Sequence, residues 1–186
     1  MEIVNRVAES DLVTFNLEAL WDGRTVDEFD LAPFLVEGLV LRERPFREAV
    51  AAYDWAQHAG RHVALFCSTD ALVPVWAWLL VAAKLDGVAA SVAHGRAADL
   101  VRDHFVRALE AHDWARYAGK PVVVKGCGSK LVPLDAYVVA TRKLQAVAGK
   151  LMFGEACSSV PLWRRPKEAA GKAAPARPAG PPRPAS

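Results

Sequence analysis

The chain carries the same landmarks twice, and this repetition constrains its fold more than any other feature of the sequence. Residues 53–60 read YDWAQHAG, and residues 112–119 read HDWARYAG. In both places an apolar run ending at a cysteine follows, and then Leu-Val-Pro and, ten residues after the proline, Lys-Leu. We infer that the chain contains two copies of one structural unit, at about residues 47–95 and 107–155.

Each copy is expected to contain a strand, a helix and a second strand. The apolar runs predict buried strands, and apolar residues at helical spacing predict the helices, including one between the copies. Strands that alternate with helices favour a parallel sheet covered on both faces. We therefore predict an α/β fold with a mostly parallel sheet of at least four strands, in the order 2-1-3-4. The predicted strands 1 to 4 are residues 62–67, 88–94, 121–126 and 150–155, and the predicted helices are residues 74–85, 98–111 and 133–147.

The rest of the chain divides into an N-terminal extension and a tail. Residues 1–46 are expected to pack on the duplicated core of residues 47–163. Within the extension, residues 12–17 predict a strand, whereas residues 30–41 fit a helix or a strand equally well. Residues 164–186 are rich in Ala, Pro and basic side chains. Such a segment cannot bury enough apolar surface to offset its ordering entropy, so we expect it to be disordered.

The charge distribution limits the classes of partner. The net charge of +2 combines +5 in the tail from residue 164 with −3 in the remainder. A mildly acidic folded part argues against nucleic-acid binding. The longest apolar run, residues 75–83, is too short to span a bilayer, and the N-terminus does not resemble a signal peptide. The sequence therefore predicts a cytoplasmic protein that binds neither nucleic acid nor membranes.

All three cysteines of the chain follow predicted strands. Cys67, Cys127 and Cys157 each end an apolar run and precede Val-Pro by a few residues, which predicts a helix or turn after each thiol. Ligands of parallel α/β sheets bind at the carboxyl ends of strands. In the predicted order the three strands are consecutive and about 4.8 Å apart, and thiolates that share a metal lie about 4 Å apart. We predict that the thiolates converge on zinc, iron or an iron–sulfur cluster.

The fourth ligand of this site stays open. Asp70 and Glu155 are close to cysteines in the sequence, although carboxylates suit zinc or iron less well than thiolate or imidazole. His94 is expected to end the edge strand, near Cys67 but two strand spacings, roughly 10 Å, from Cys127. We therefore favour a structural role for this histidine. A water molecule, a substrate or a ligand from a partner would complete the site equally well.

Four stretches of the sequence carry a resemblance to a known family. They read MEIVNRV at the N-terminus, CSTDALVP from Cys67, VKGC up to Cys127 and FGEACSSVP at residues 153–161. Over about residues 1–167 the chain resembles a bacterial family of domains of unknown function, the one numbered twenty-four eighty. Ala156 stands where the family is expected to have proline, which leaves Cys157 in place. The resemblance implies an association with SUF-type iron–sulfur assembly genes, and thereby iron–sulfur assembly proteins as partners, but no established activity.

Three functions are compatible with the sequence. The first is a metal- or iron–sulfur-binding accessory protein, with a role in cluster assembly or trafficking. The second is thiol chemistry without a metal, in which Cys67 and Cys127 relay sulfur or exchange a disulfide. The third is a non-catalytic α/β scaffold whose cysteines pack as small hydrophobic residues. Whether the protein is an enzyme, and its oligomeric state, are left open by the sequence.

Overall fold

The computed structural model describes residues 11–125, 131–155 and 158–166. Within these ranges the chain forms seven β-strands and four α-helices, which confirms the predicted α/β class. The predicted tail lies outside the described residues beyond position 166. The strands are β1 (Val13–Asn16), β2 (Val26–Asp30), β3 (His62–Phe66), β4 (Ser91–His94), β5 (Pro121–Lys125), β6 (Lys150–Glu155) and β7 (Ser158–Arg164), and the helices are α1 (Glu43–Ala52), α2 (Val75–Leu85), α3 (Ala97–Ala111) and α4 (Leu134–Val147).

The strands form two sheets. In the first sheet β3 lies between β2 and β4, and all three strands are parallel. In the second sheet the order is β1-β5-β6-β7, and only β7 is antiparallel. A mostly parallel sheet of four strands is thereby confirmed. The predicted order 2-1-3-4 is wrong, because it placed β3 beside β5. Those positions are taken by β2 and β1, which belong to the segment predicted as an extension.

The prolines after the three cysteines have two different roles. Pro74 and Pro133 directly precede α2 and α4, as the sequence predicted. Pro161 does not begin a helix or turn, because it lies within β7. A proline lacks the N–H that a central strand needs, and β7 is an edge strand, where that loss is tolerated. The pattern of cysteine followed by Val-Pro therefore marks a helix start in only two of its three occurrences.

Each sheet has its own hydrophobic core, built from helix faces of period 3.6. The inner face of α2 buries Ala77, Val81 and Leu85 in the first core, and the inner face of α4 buries three residues of the same spacing in the second. The helix α3 packs against strands β3 and β4 of the first sheet and also against α4. Its buried Phe105 and Leu109 belong to the second core. The helix α3 therefore packs against the first sheet and contributes side chains to the core of the second.

The segments before β3 and β5 make matching local contacts. The indole of Trp55 donates to the carbonyl of Val50 over 2.9 Å, and the indole of Trp114 donates to the carbonyl of Leu109 over 3.0 Å. A histidine and a tyrosine are hydrogen-bonded over 3.1 Å in both segments, with their positions exchanged. These contacts fix each 3-10 turn against the helix before it. The pairs are Tyr53–His58 and His112–Tyr117.

Candidate functional site

The carboxyl ends of β5 and β6 lie side by side in the second sheet. Val124 is opposite Phe153, and Lys125 Nζ lies 3.3 Å from Glu155 Oε2 just beyond them. Cys127 and Cys157 lie outside the described residues, each two positions after one member of this ion pair. Glu155, considered above as a fourth ligand, has an exposed side chain whose carboxylate is engaged by the lysine.

An apolar groove opens beside these strand ends. Its volume is about 470 Å³, and its walls include Val124 of β5, Phe153 of β6, Leu162 of β7 and Leu134 at the start of α4. Ligand sites of this kind are mostly apolar and carry few polar groups. The groove therefore marks the carboxyl end of the second sheet as a place where a small group or a partner side chain can bind.

Cys67 follows β3 and thus belongs to the first sheet. Its thiol is free and half-buried, packs against the first core, and lies 3.3 Å from the hydroxyl oxygen of Thr69. Because β3 and β5 are in different sheets, they do not bring Cys67 and Cys127 together as neighbouring strand ends. The spacing of neighbouring strands therefore does not support a role for Cys67 in a three-thiol site.

The other two residues predicted near Cys67 lie on the surface. Asp70 is exposed in the loop after the cysteine. His94 is also exposed and ends the edge strand β4, as predicted; its ring meets Trp78 edge-on at 4.8 Å. The aromatic contact gives this histidine a packing partner, in line with the structural role favoured from the sequence. Neither its role as a ligand nor that of Asp70 is tested by these positions.

The loop after Cys67 is fixed by a carboxylate at the end of β2. Asp30 Oδ1 accepts hydrogen bonds of 2.9 Å from the backbone N–H groups of Ser68 and Ala32. Burial alone would raise the pKa of Asp30, but these bonds and the positive charge of Arg96 outweigh it and hold the pKa below its ordinary value. The Arg96 guanidinium stacks on the Phe66 ring at 3.9 Å. Ser68, the residue after Cys67, is therefore hydrogen-bonded to the carboxylate of Asp30, whose lowered pKa favours its ionised form.

A second polar cluster lies at the other end of β3, and we call it the histidine cluster. It consists of Asp22, His62 and His104, each of which offers one ligand atom within 4.8 Å of the other two. His62 begins β3 and is only 2% exposed. Its Nε2 lies 2.9 Å from Asp22 Oδ1, and its Nδ1 lies 2.8 Å from the Ser91 hydroxyl. Burial opposes ionisation of Asp22, yet the hydrogen bond with His62 helps to lower the pKa of this carboxyl below its ordinary value.

The second histidine of the cluster is oriented by backbone and by an indole ring. His104 of α3 donates from Nε2 to the carbonyl of Leu20 over 2.9 Å. Trp21 contacts both imidazoles, with ring centroids 5.0 Å from His62 and 4.7 Å from His104. The cluster was not predictable from the sequence, because its three members come from a loop, a strand and a helix up to 82 positions apart. No spacing motif marks such a set.

A comparable aspartate–histidine pair lacks the second imidazole. His58 Nδ1 donates to Asp27 Oδ2 over 2.8 Å, and the other carboxylate oxygen accepts from Arg61 over 3.0 Å. Burial would raise the pKa of Asp27, but the bonds from His58 and Arg61 outweigh it and lower the pKa. This arrangement joins β2 to the segment before β3 through His58 and Arg61.

The variant Asp27→Asn is expected to lower the free energy of unfolding at pH 7 by about 1–2 kcal/mol, because two charge-assisted hydrogen bonds are lost. The native pKa lies below the ordinary value of 3.8, so this contribution is complete above pH 3.8 and disappears as the pH falls through the native pKa. Urea denaturation of both proteins at pH 7 and near pH 3 measures the difference. Asp103→Asn, which changes an exposed ion pair on α3, is the control, and an equal loss in both variants would contradict the prediction.

Comparison with known proteins adds a family but no activity. None of the helices among the described residues has the length and apolar character needed to cross a membrane. No curated protein and no solved structure gives a significant match to the chain. A match does extend over residues 1–165, to the family described as "Protein of unknown function (DUF2480)". The chain therefore belongs to the family of proteins of unknown function DUF2480.

Proposed function

We propose that the protein is a metal- or iron–sulfur-binding accessory protein whose thiolate ligands lie at the carboxyl end of the second sheet. The observation that carries the proposal is the adjacency of β5 and β6, whose ends are joined by the ion pair of Lys125 and Glu155 at 3.3 Å. Cys127 and Cys157 follow these residues by two positions each. Neighbouring strands are about 4.8 Å apart, close to the spacing of about 4 Å that two thiolates need on one metal.

A site with only two thiolate ligands favours transfer of its metal or cluster to another protein over permanent structural binding. A structural zinc site is closed by four protein ligands, whereas a site with open positions exchanges its metal or binds another molecule. Two thiolates alone would leave such positions open, and the apolar groove lies at the ends of β5 and β6, the strands that precede the two cysteines. Zinc, iron or an iron–sulfur cluster is the cargo that soft thiolates select. We therefore propose iron–sulfur assembly proteins as partners, in keeping with the resemblance noted from the sequence.

The role of Cys67 is the open part of this proposal. Its position in the first sheet and its packing against the first core favour the alternative that this cysteine is a small hydrophobic residue of a scaffold. A sulfur relay between Cys67 and Cys127 loses its main support, since their strands are not neighbours. Cys67, Asp70 and His94 remain the residues to test for the remaining ligand positions.

We further propose that the two sheets are copies of one unit, each beginning with a strand from the N-terminal segment. The end of β2 and the end of β1 support this, because Asp30 and Asn16 each accept a hydrogen bond from the backbone N–H two residues later. The residue after each, Leu31 or Leu17, is fully buried. Cys67 and Cys127 would then hold equivalent places in two separate sheets. This arrangement makes Cys67 a natural internal comparison for Cys127.

Metal analysis of single variants tests the proposed site. The full chain is purified without oxygen, and its iron, zinc and acid-labile sulfide are measured with its visible spectrum, before and after reconstitution with iron and sulfide. We expect Cys127→Ser and Cys157→Ser to lose at least ten-fold in thiolate-bound metal, read from the sulfur-to-metal charge-transfer absorption of the reconstituted protein, because each removes a thiolate ligand.

Cys67→Ser is the matched variant, since it makes the same chemical change in the equivalent loop of the first sheet. Retention of metal in this variant would confine the site to the second sheet, and its loss would extend the site to all three thiols. Unchanged metal content in both Cys127→Ser and Cys157→Ser would rule out the proposed function, as would a wild-type protein that holds neither iron nor zinc after reconstitution.

A further inference from the structure

We propose that the histidine cluster is a second metal site, independent of the cysteines, which binds a divalent transition ion such as Zn²⁺ or Fe²⁺. Asp22, His62 and His104 supply one carboxylate oxygen and two imidazole nitrogens, all within 4.8 Å of one another. Two imidazoles with one carboxylate form a ligand set typical of zinc and non-haem iron, with further positions open to water. The cluster lies at the amino end of β3, whereas Cys67 lies beyond its carboxyl end.

A hydrogen bond to the backbone fixes the tautomer of His104. A carbonyl oxygen can only accept, so the 2.9 Å contact with Leu20 requires the proton on Nε2. The neutral ring then has its lone pair on Nδ1. Histidines that bind metals almost always donate their other ring N–H to a carbonyl or carboxylate in this way. The backbone of Leu20 therefore leaves Nδ1 as the ring nitrogen through which His104 would bind a metal.

His62 can adopt the liganding tautomer without gaining or losing a proton. Without an ion, the Ser91 hydroxyl donates to Nδ1 and the Nε2–H donates to Asp22 over 2.9 Å. With an ion bound, the proton moves to Nδ1 and is donated to the Ser91 oxygen, so that Nε2 and the carboxylate both face the metal. Because Nδ1 keeps the Ser91 oxygen at 2.8 Å and Nε2 keeps Asp22 at 2.9 Å, this change needs no displacement of the side chain. Ser91 is thus a positioning residue for the ligand.

An ion can reach the cluster from solvent beside Asp22, and one positive charge, that of Arg24, opposes its binding. The Asp22 side chain is 34% exposed, so the ligands open to solvent on that side. Arg24 lies 3.6 Å from the other carboxylate oxygen of Asp22, and its own side chain is 54% exposed. Solvent screens an exposed charge of this kind strongly. Removal of the Arg24 charge should therefore strengthen metal binding by only a few-fold.

Cobalt binding to a cysteine-free protein tests this site separately from the proposed function. The full chain with Cys67, Cys127 and Cys157 all replaced by serine is treated with chelator and titrated with Co²⁺, and then with Zn²⁺ as a competitor. We expect one equivalent of Co²⁺ to bind with a visible spectrum free of sulfur-to-metal charge transfer, and the tryptophan fluorescence to fall because Trp21 contacts both imidazoles. Asp22→Asn and His104→Ala in the same background should each weaken binding by at least ten-fold.

The matched control is Asp27→Asn in the same background, because it alters an aspartate–histidine pair that has an arginine where the cluster has a second imidazole. This variant should bind Co²⁺ as the parent does, and Arg24→Gln should bind it more tightly. Asp22 is near the surface, so its asparagine variant is expected to fold, which circular dichroism checks. Absence of Co²⁺ binding to the cysteine-free parent, or equal binding by the Asp22→Asn variant, would overturn the proposal and leave the cysteine site untouched.

Discussion

Replacement of Phe105 by alanine is expected to lower the free energy of unfolding by about 3–5 kcal/mol, the range for loss of a fully buried phenylalanine. The ring lies in the second core with no exposure to solvent, on the helix that also packs against the first sheet. Trp21 is stacked beside it, with ring centroids 6.3 Å apart. The cavity left by the ring would therefore lie between the second core and Trp21, which contacts the histidine cluster. Both surroundings are well packed, so they can fill the cavity only in part.

Chemical denaturation followed by circular dichroism measures this loss. Arg107→Ala changes the exposed face of the same helix, where an ion pair with Asp103 is about half exposed, and it should cost less than about 1 kcal/mol. A loss of less than about 1 kcal/mol in Phe105→Ala would show that the ring is not packed as described. Tryptophan fluorescence provides an additional readout, since Phe105 is stacked beside the ring of Trp21.

The same experiment on Phe46 tests whether the two cores unfold together. Phe46 is the buried aromatic residue of α1 in the first core, with Phe34 and Trp76 edge-on against it at 5.6 and 5.7 Å. If α3 couples the sheets into one cooperative unit, both variants should show a single transition of unchanged slope. Two separate transitions in Phe105→Ala alone would show that the first sheet folds independently of the second.

The helices were predictable because their signal is local. Apolar residues recur every three to four positions within one segment, and a proline directly before α2 and α4 marks where each begins. The predicted bounds of residues 74–85 and 133–147 accordingly agree within one residue with the observed helices. Strand positions were also local, and β3 and β6 were predicted with an error of at most one residue.

Sheet membership was not predictable, because it depends on pairing between distant segments. Each central strand, β3 or β5, is buried and needs a neighbour on both sides. Each copy of the repeat supplied one of these neighbours, and the predicted order took the second from the other copy. The missing neighbours are β2 and β1, short strands that the repeat does not include. The strand β7 was missed for a chemical reason, since Pro161 suggested a helix or turn and an edge strand tolerates it.

The candidate sites differ in the same way. The cysteines were found because one residue type recurs in one local context, although that context could not show which strands are adjacent. The histidine cluster gave no sequence signal, because two isolated histidines and an aspartate are common in any chain. Only the packing of α3 on the first sheet brings His104 to His62. A site assembled by a helix that bridges two sheets becomes visible only when the fold is known.

Gly154→Ala is expected to destabilise the protein by about 2–5 kcal/mol, through backbone strain and through overpacking. Gly154 has φ +121°, a conformation that residues with a side chain rarely adopt, and an added Cβ would lie 2.8 Å from the carbonyl oxygen of Ser158. That oxygen belongs to β7, which is held to β6 by the pairing of Glu155 with Ser158. The backbone can therefore relieve the contact only by opening the ladder at the end of β6.

Denaturation and metal analysis together distinguish the two consequences of this substitution. Gly87→Ala is the control, because its φ of +71° is also positive but nothing lies within 4 Å of an added Cβ; it should cost about 1 kcal/mol. Gly154→Ala should exceed that loss and also reduce the iron or zinc retained by the full chain, since it displaces the end of β6. If Gly154→Ala loses stability but retains all its metal, the thiolate site lies away from this strand end. If it loses no more stability than Gly87→Ala, β7 moves to accommodate the added Cβ at little cost in free energy.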